Sequence, residues 1–352
     1  MALDGASFSP KEFKLAISET GEATQGTAKT DALIAVNIDS LEMPSFNLTQ
    51  VLDVRSGTDG RVADIADAFT DEKGVTKEIT FSGILDSQVL PVLLENCIAR
   101  ANSSSIVTIP YNYEPPALAT SATSQNQIHT LTLHLSLPAT TDSESSPGTD
   151  THSMTFPGCT ITSLQITGDM GNESGRLRFT ATARTGYITT FSTAEIAPTA
   201  YTSNFFSLAT LAGSGLKTIA GAKDCVIQSF SLNFENPSEY VGQHDSNGNP
   251  EAIVRAVPEI AVTLDATVKY DNNNAAGEQT TAEYQTAMKA NTTVATSLHN
   301  HASAIASATG FGFEGAFGKI TSVAFNEANA MMMDVSTKFF ASGTSNMFQI
   351  RY

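Results

Sequence analysis

CTITSLQITGDMGNESGRLRFTATARTG, running from Cys159 to Gly186, reads as two β-strands joined by a glycine-rich turn. On the return strand Leu177, Phe179, Ala181 and Ala183 fall on one side, with Arg176, Arg178, Thr180, Thr182 and Arg184 on the other. That period of two marks a sheet with one apolar face. The turn, Gly168 to Gly175, holds three glycines and Asn172, residues that tolerate positive φ.

The pattern recurs. Cys225-Val226-Ile227-Gln228-Ser229-Phe230-Ser231-Leu232 repeats Cys159-Thr160-Ile161-Thr162-Ser163-Leu164-Gln165-Ile166 as C-x-I-x-S-Φ-x-Φ, where Φ is apolar. A fainter copy without the cysteine is Ile320-Thr321-Ser322-Val323-Ala324-Phe325. Each copy precedes a second predicted strand, over 176–185, 258–271 and 331–341 in turn. Self-similarity of this kind suggests a duplicated supersecondary unit. The competing reading is chance recurrence in a Ser/Thr-rich β protein.

The chain has 352 residues, enough for two compact domains or one large β domain with insertions. A hydrophobic content of 41% supports a core, and charged residues make up only 16%. The formal charge is −17, from 36 acidic and 19 basic residues. Such a balance argues against a surface that grips nucleic acid, because affinity for phosphate comes mainly from Lys and Arg. It allows nucleic acid as a cargo that does not stick, since a wall that lets DNA slide past should repel phosphate.

The cysteines, Cys97, Cys159 and Cys225, show no CxxC spacing, so neither a disulfide framework nor a thiolate metal site is indicated. Cys159 and Cys225 are most simply small buried apolar residues. MALDGASFSPKEF at the start lacks the basic and apolar regions of a signal peptide. No apolar run approaches the ~20 residues that span a bilayer. The expectation is a protein made in a cytoplasm, without a membrane partner, that stays soluble or assembles there.

In chain order, residues 32–38 and 45–55 read as strands, and 77–85 (KEITFSGIL) as a clear one. Asp86 is a good N-cap for a helix reaching Arg100, with Leu90, Leu93, Leu94, Cys97 and Ile98 on one stripe. This is the one packed helix expected in a mainly β chain. Residues 128–137 (IHTLTLHLSL) alternate cleanly, predicting Leu131, Leu133, Leu135 and Leu137 inside and Thr130, Thr132, His134 and Ser136 outside. Short helices are compatible with 62–69, 203–216 and 280–291. Residues 236–257 read as an expanded turn within the second strand pair, and 347–352 as a terminal strand. The organisation expected is a β domain over 1–279, with strand pairs at 159–186 and 225–271, followed by a C-terminal extension over 280–352 carrying the third pair.

No G-x-S-x-G elbow, Walker loop or H-E-x-x-H occurs. Gly310–Gly315 has the spacing G-x-G-x-x-G but lies in no βα unit. Asp245–Asn249 starts like a calcium loop without its terminal acid, and reads as a turn. His299 and His301 share a strand face with no third ligand in view, so no metal site, no cofactor and no enzymatic role are expected. Two stretches remain as candidate contact surfaces between subunits. Arg176, Arg178 and Arg184 form a basic stripe that would pair with a neighbour's carboxylates or lie on an ordinary solvated face. The long acidic segment 56–74 carries Ile65 and Phe69 at i,i+4, an apolar pair that gains from docking.

At its C-x-I-x-S-Φ-x-Φ strands the chain resembles the tail tube (major tail) proteins of long-tailed bacteriophages. The Cys159–Gly186 stretch is similar to their segment in which a Ser-Leu strand ends in Gly-Asp, turns, and returns Thr/Ala-rich. Val226–Phe234 with the strand after Pro258 is similar to their second strand pair, and Glu78–Gly83 with the Asp86 helix to their strand-then-helix step. The likeness covers Phe46 to Asp271 and leaves 280–352 as an extra segment. It implies a β-sandwich or barrel fold whose inner strands pair across subunits into a lumen-facing β-barrel. Homohexameric rings would stack into the hollow tail through which DNA, a transient non-specific cargo, is ejected. Its partners would be further copies of itself and other tail proteins. Two other structural readings are a capsid decoration or tail-terminator protein and a monomeric carbohydrate-binding β module. The latter fits poorly with a chain that has no Trp.

Overall fold

In the computed structural model, Arg178–Thr185 alternates half-buried and buried residues without a break, as its polar and apolar sides require. The structure describes residues 13–42, 49–52, 68–71, 76–98, 111–113, 130–136, 153–172, 175–192, 196, 198–200, 205–208, 217–221, 223–241, 249–255, 261–270, 279–299, 310–326, 332–342 and 347–351.

The first part of the chain forms β1 (Lys14–Ser18), β2 (Leu33–Val36), β3 (Ile38–Glu42), β4 (Thr49–Leu52), β5 (Ala68–Asp71), β6 (Lys77–Ile84), α1 (Val89–Cys97), β7 (Tyr111–Tyr113), β8 (Leu131–Ser136), β9 (Ser153–Asp169), β10 (Arg178–Thr185) and β11 (Thr190–Ser192). The second forms β12 (Lys217–Thr218), β13 (Ile227–Glu235), β14 (Ser238–Val241), β15 (Ala252–Arg255), β16 (Ala261–Lys269), α2 (Thr281–Lys289), β17 (Val294–Leu298), β18 (Gly312–Phe325), β19 (Met332–Phe339) and β20 (Phe348–Arg351). The architecture is mainly β. One antiparallel sheet runs β12-β17-β18-β19-β16-β13-β9-β10-β6-β3, while β14–β15 and β4–β5 are separate two-stranded ribbons. The sheet is open, not a closed barrel.

Both helices pack on the apolar face. The Cys97 thiol lies 3.9 Å from the Phe234 carbonyl, and the Thr281 hydroxyl donates to the Met333 sulfur at 3.4 Å. The predicted helix is therefore joined by a second, α2. Its N-cap is a capping box in which Thr280 accepts from the Glu283 amide and Glu283 reaches back to the Thr280 amide. α1 is shorter than expected and its N-cap is Gln88, not Asp86, yet the Asp86 Oδ1 still accepts from the Gln88 and Val89 amides, each at 2.8 Å. The helix expected over 62–69 is corrected where it is described. Ala68 and Phe69 belong to strand β5, and 62–67 lie outside the described residues. Within 203–216, Phe205 and Ser207 make isolated bridges to Asp86 and Arg176, Leu208 is in a 3-10 turn, and 203–204 and 209–216 lie outside the described residues.

The repeated motif has a backbone counterpart. In the β9–β10 pair Ala183 faces Ile161 and Thr182 faces Ser163, so Thr162 bulges. Between β13 and β16, Ile227 faces Val268 and Ser229 faces Thr267, so Gln228 bulges. Between β18 and β19, Ile320 faces Thr337 and Ser322 faces Ser336, so Thr321 bulges. The x of I-x-S is the extra residue each time. A bulge adds twist and turns the strand while leaving the following Φ-x-Φ in phase with the core. A fourth copy stands at β3, where Ile38 faces Gly83, Ser40 faces Ser82 and Asp39 bulges. Four such hairpins lie side by side in the sheet.

β8 departs from its predicted pattern, because all six of its residues are buried. The supposedly outward face is roofed by 19–30. One Glu22 carboxylate oxygen accepts from the Thr130 hydroxyl at 2.7 Å and the Gly26 amide at 2.8 Å. The other accepts from the Thr132 hydroxyl at 2.6 Å and the Gly158 amide at 2.9 Å. His134, 2% exposed, donates from Nε2 to the Lys29 carbonyl at 2.7 Å, and its Nδ1 meets the Thr155 hydroxyl at 2.9 Å.

Burial lowers the His134 pKa below the usual histidine value. The unfolded chain therefore takes up the proton first, and stability falls as pH drops below about 6.5 toward the folded value. Denaturant titrations at pH 7.5 and 5.5 should show this loss, and His134→Gln should reduce it. An unchanged pH dependence in the variant would contradict the assignment.

Candidate functional site

Two surfaces stand out once the sheet is built: the polar face opposite the helices, and the outer edges of its hairpins. On the face, side chains form ladders across strands. Ser40 and Ser82 hydroxyls are 2.7 Å apart, and those of Thr80 and Thr182 3.3 Å. Gln165 donates to Ser231 at 3.0 Å and to Asn233 at 2.9 Å, and Thr267 donates to Asp334 at 2.7 Å. Cross-strand polar pairs of this kind hold register without needing burial. The face sinks into an open trough of about 520 Å³ whose lining includes Thr167, Asp169, Arg178, Ser231, Asp265 and Asp334. Most of its lining residues carry polar side chains and it is open, unlike the apolar enclosure of a small-molecule site.

Each of the three arginines meets a partner within the chain. Arg178 forms an ion pair with Asp39 on β3. Arg184 lies 3.8 Å from Glu78 and donates to the Ser238 carbonyl at 3.1 Å. Arg176 sits over the Phe205 ring, 5.4 Å from its centre. The ion pairs are thus made within the chain, which leaves Asp169, Glu235 and Asp265 as exposed acids on the strands of this face.

Of the apolar pair, Phe69 stands in β5 opposite Val51, in a ribbon that is separate from the main sheet among the described residues. Ile65 lies outside the described residues.

The edges were not singled out by sequence, although Ile38-Asp39-Ser40-Leu41 carried the I-x-S-Φ signal. On β9 the residues after the bulge are sealed, with Leu164 1% and Ile166 0% exposed. On β18 their counterparts are uncovered: Val323 is half-buried and Phe325 is 59% exposed.

Other candidates have structural roles. Cys97, Cys159 and Cys225 are buried free thiols, and burial pushes the Cys225 thiol up to about 12, where it is inert. His299 Nε2 is 2.8 Å from a Glu314 carboxylate oxygen, and His301 lies outside the described residues. Among the described residues no group of three His, Cys, Asp or Glu side chains could hold a metal ion. No described helix is long and apolar enough to cross a membrane.

The Arg178–Asp39 pair has side chains 34% and 42% exposed, so it contributes only about 0.2–1 kcal/mol to the folded subunit. Arg178→Ala and Asp39→Ala should each shift the denaturant midpoint slightly. A loss above about 2 kcal/mol would exceed what such a pair holds.

No curated protein sequence matches the chain. A family model described as phage tail tube protein matches residues 15–336. That span takes in the four I-x-S hairpins as far as Ser336, the polar face between them and both helices. The tail-tube resemblance carried by two of those hairpins thus extends over nearly the whole sheet, and the chain belongs to the phage tail tube protein family.

Proposed function

We propose that copies of this chain assemble in the host cytoplasm into stacked rings with the six-fold count the resemblance implies. Together they form the hollow tail of a virion, through which DNA passes into the host. The observation that carries this reading is a sheet with one apolar, helix-covered face, one polar face and, among the described residues, edges at β3 and at 322–325 of β18 that no strand covers. Such a sheet extends by adding strands, and the polar face then lines the bore.

Its chemistry suits passage. Asp169, Asp265 and Asp334 stand among Ser, Thr and Asn side chains, and two of its arginines already face carboxylates in the chain. Phosphates meet net repulsion and few cations to hold them. No cofactor enters this role, and other tail proteins would cap the two ends of the stack.

Stacking falls to the β4–β5 ribbon and its flanking residues, where Ile65 and Phe69 would dock on the next ring. Burying one phenylalanine contributes roughly 1.5–3 kcal/mol, multiplied around the ring. Electron microscopy of the purified chain should show tubes. Phe69→Asp should leave circular dichroism unchanged and abolish tubes. Only isolated monomers from the unaltered chain would contradict the reading, and normal tubes from the variant would move the stacking contact elsewhere.

A further inference from the structure

The hairpins fall into two sets. β3 with β6 and β9 with β10 make one; β13 with β16 and β18 with β19 make the other. The I-x-S bulges align them position by position. Ile38 and Ser40 match Ile227 and Ser229 on the opening strands, and Ile161 and Ser163 match Ile320 and Ser322 on the long ones. A two-stranded ribbon follows each opening strand at the same interval, from Ser40 to Thr49 and from Ser229 to Ser238. The pairing within the ribbons agrees too, with Thr49 facing Asp71 and Ser238 facing Arg255. Val51 and Tyr240 therefore hold the same register position, opposite Phe69 and Ile253.

The second ribbon, β14–β15, is docked within the chain on the long hairpin of the first set. The Tyr240 hydroxyl sits between the Gly158 and Arg184 carbonyls, at 2.9 and 2.5 Å. Its ring covers Gly186 so closely that a Cβ there would come within 2.9 Å of it. The Thr160 and Ser238 hydroxyls are 2.9 Å apart, and the Arg184 guanidinium donates to the Ser238 carbonyl at 3.1 Å. The first ribbon, β4–β5, is separate from the main sheet among the described residues, where β3 pairs only with β6.

The surface that matches this dock lies on β18–β19. Through the aligned bulges Gly158 corresponds to Phe317, Thr160 to Lys319, Arg184 to Lys338 and Gly186 to Phe340. Its sizes are inverted. Where β14 brings a tyrosine to two glycines, β4 brings Val51 and this surface supplies two phenylalanines. Phe340 is 38% exposed and Phe317 half-buried, so the aromatic bulk stands open. The cation is kept, with Lys338 in place of Arg184. Lys338 lies over the Phe340 ring, 5.5 Å from its centre, and faces Lys319 across the two strands. Facing like charges cost stability in the free chain and suit an acidic neighbour. Residues 49–71 are acidic, with Asp53, Asp59, Asp64, Asp67 and Asp71 against Arg55 and Arg61.

We propose that Phe317, Lys319, Lys338 and Phe340 form the dock for the β4–β5 ribbon of a second copy of this chain, seated as β14–β15 is seated on β9–β10. Lys338 then donates to the neighbour's Thr49 carbonyl as Arg184 does to that of Ser238, and the Val51 position lies over Phe340. The proposal rests on the tail-tube reading and names the surface that receives the ribbon which that reading assigns to contact between copies.

The docked ribbon fixes the geometry of the test. The Tyr240 Cβ lies 3.3 Å from where a Gly186 Cβ would stand, close to the Cβ separation of a disulfide. Val51→Cys and Phe340→Cys single variants, mixed, assembled and oxidised, should therefore link into dimers holding one of each on a non-reducing gel. Neither variant should give that link alone, and the three native thiols are buried. Assembled mixtures without the link overturn the proposal. If the cysteines block assembly, a benzophenone photocrosslinking residue in place of Phe340, on a chain otherwise unaltered, decides. It should attach to 49–52 or 68–71 of another copy; attachment only elsewhere, or none, overturns the proposal. Tubes that form without either link leave the tail-tube reading standing, whereas linked dimers that never build a tube support the dock and sink that reading.

Discussion

Everything in this fold depends on β9 and β13 lying side by side. Their facing residues Leu164, Ile166, Leu232 and Phe234 are at most 1% exposed, so the seam between the two sets of hairpins is as dry as any part of the core. Four buried aliphatic and aromatic side chains contribute several kcal/mol by area alone. A seam of that strength makes two sets of strands into one sheet. Its polar side carries the Gln165, Ser231 and Asn233 ladder, so the same seam also forms part of the face assigned to the bore.

The I-x-S bulge explains how one sheet serves two solvents. An added residue at Asp39, Thr162, Gln228 and Thr321 increases local twist, which curves the sheet without moving Φ-x-Φ residues out of the core. Ser or Thr stands at many positions of the polar side, where β-branched and small hydroxyl side chains satisfy one another across strands. Charge is then left to acids such as Asp169, Glu235, Asp265 and Asp334 beside Arg178, Arg184, Lys269 and Lys338. The chain's deficit of basic residues, 19 against 36, is consistent with a surface that must be wet and must not hold phosphate.

Much of this was legible in the sequence where one face is solvent and the other is core. Arg178–Thr185 and Ala261–Lys269 alternate as read, because their polar side is at least half-open among the described residues. Leu131–Ser136 misled for the opposite reason. Thr132 and His134 look outward by type, but Glu22 and the Lys29 carbonyl satisfy them under a roof that no local pattern announces. The fourth copy, Ile38-Asp39-Ser40-Leu41, has Val36 where the first two have cysteine and is recognised by its bulge. The bulge depends on I-x-S, and the cysteine merely fills a small buried site. The arginines were visible as a stripe but not as partners of Asp39 and Glu78, which are far away in sequence and meet them only through strand pairing. Phe325 drew no notice as an exposed residue because exposure at an edge is a property of the sheet order.

A cross-section of the assembled tube by cryo-electron microscopy tests the central claim most directly. The account predicts a continuous β wall whose polar face, with Gln165, Ser231 and Asn233, lines the bore while the helices lie outside. A bore lined by the apolar, helix-covered face, or subunits held together without a continuous sheet, would contradict it.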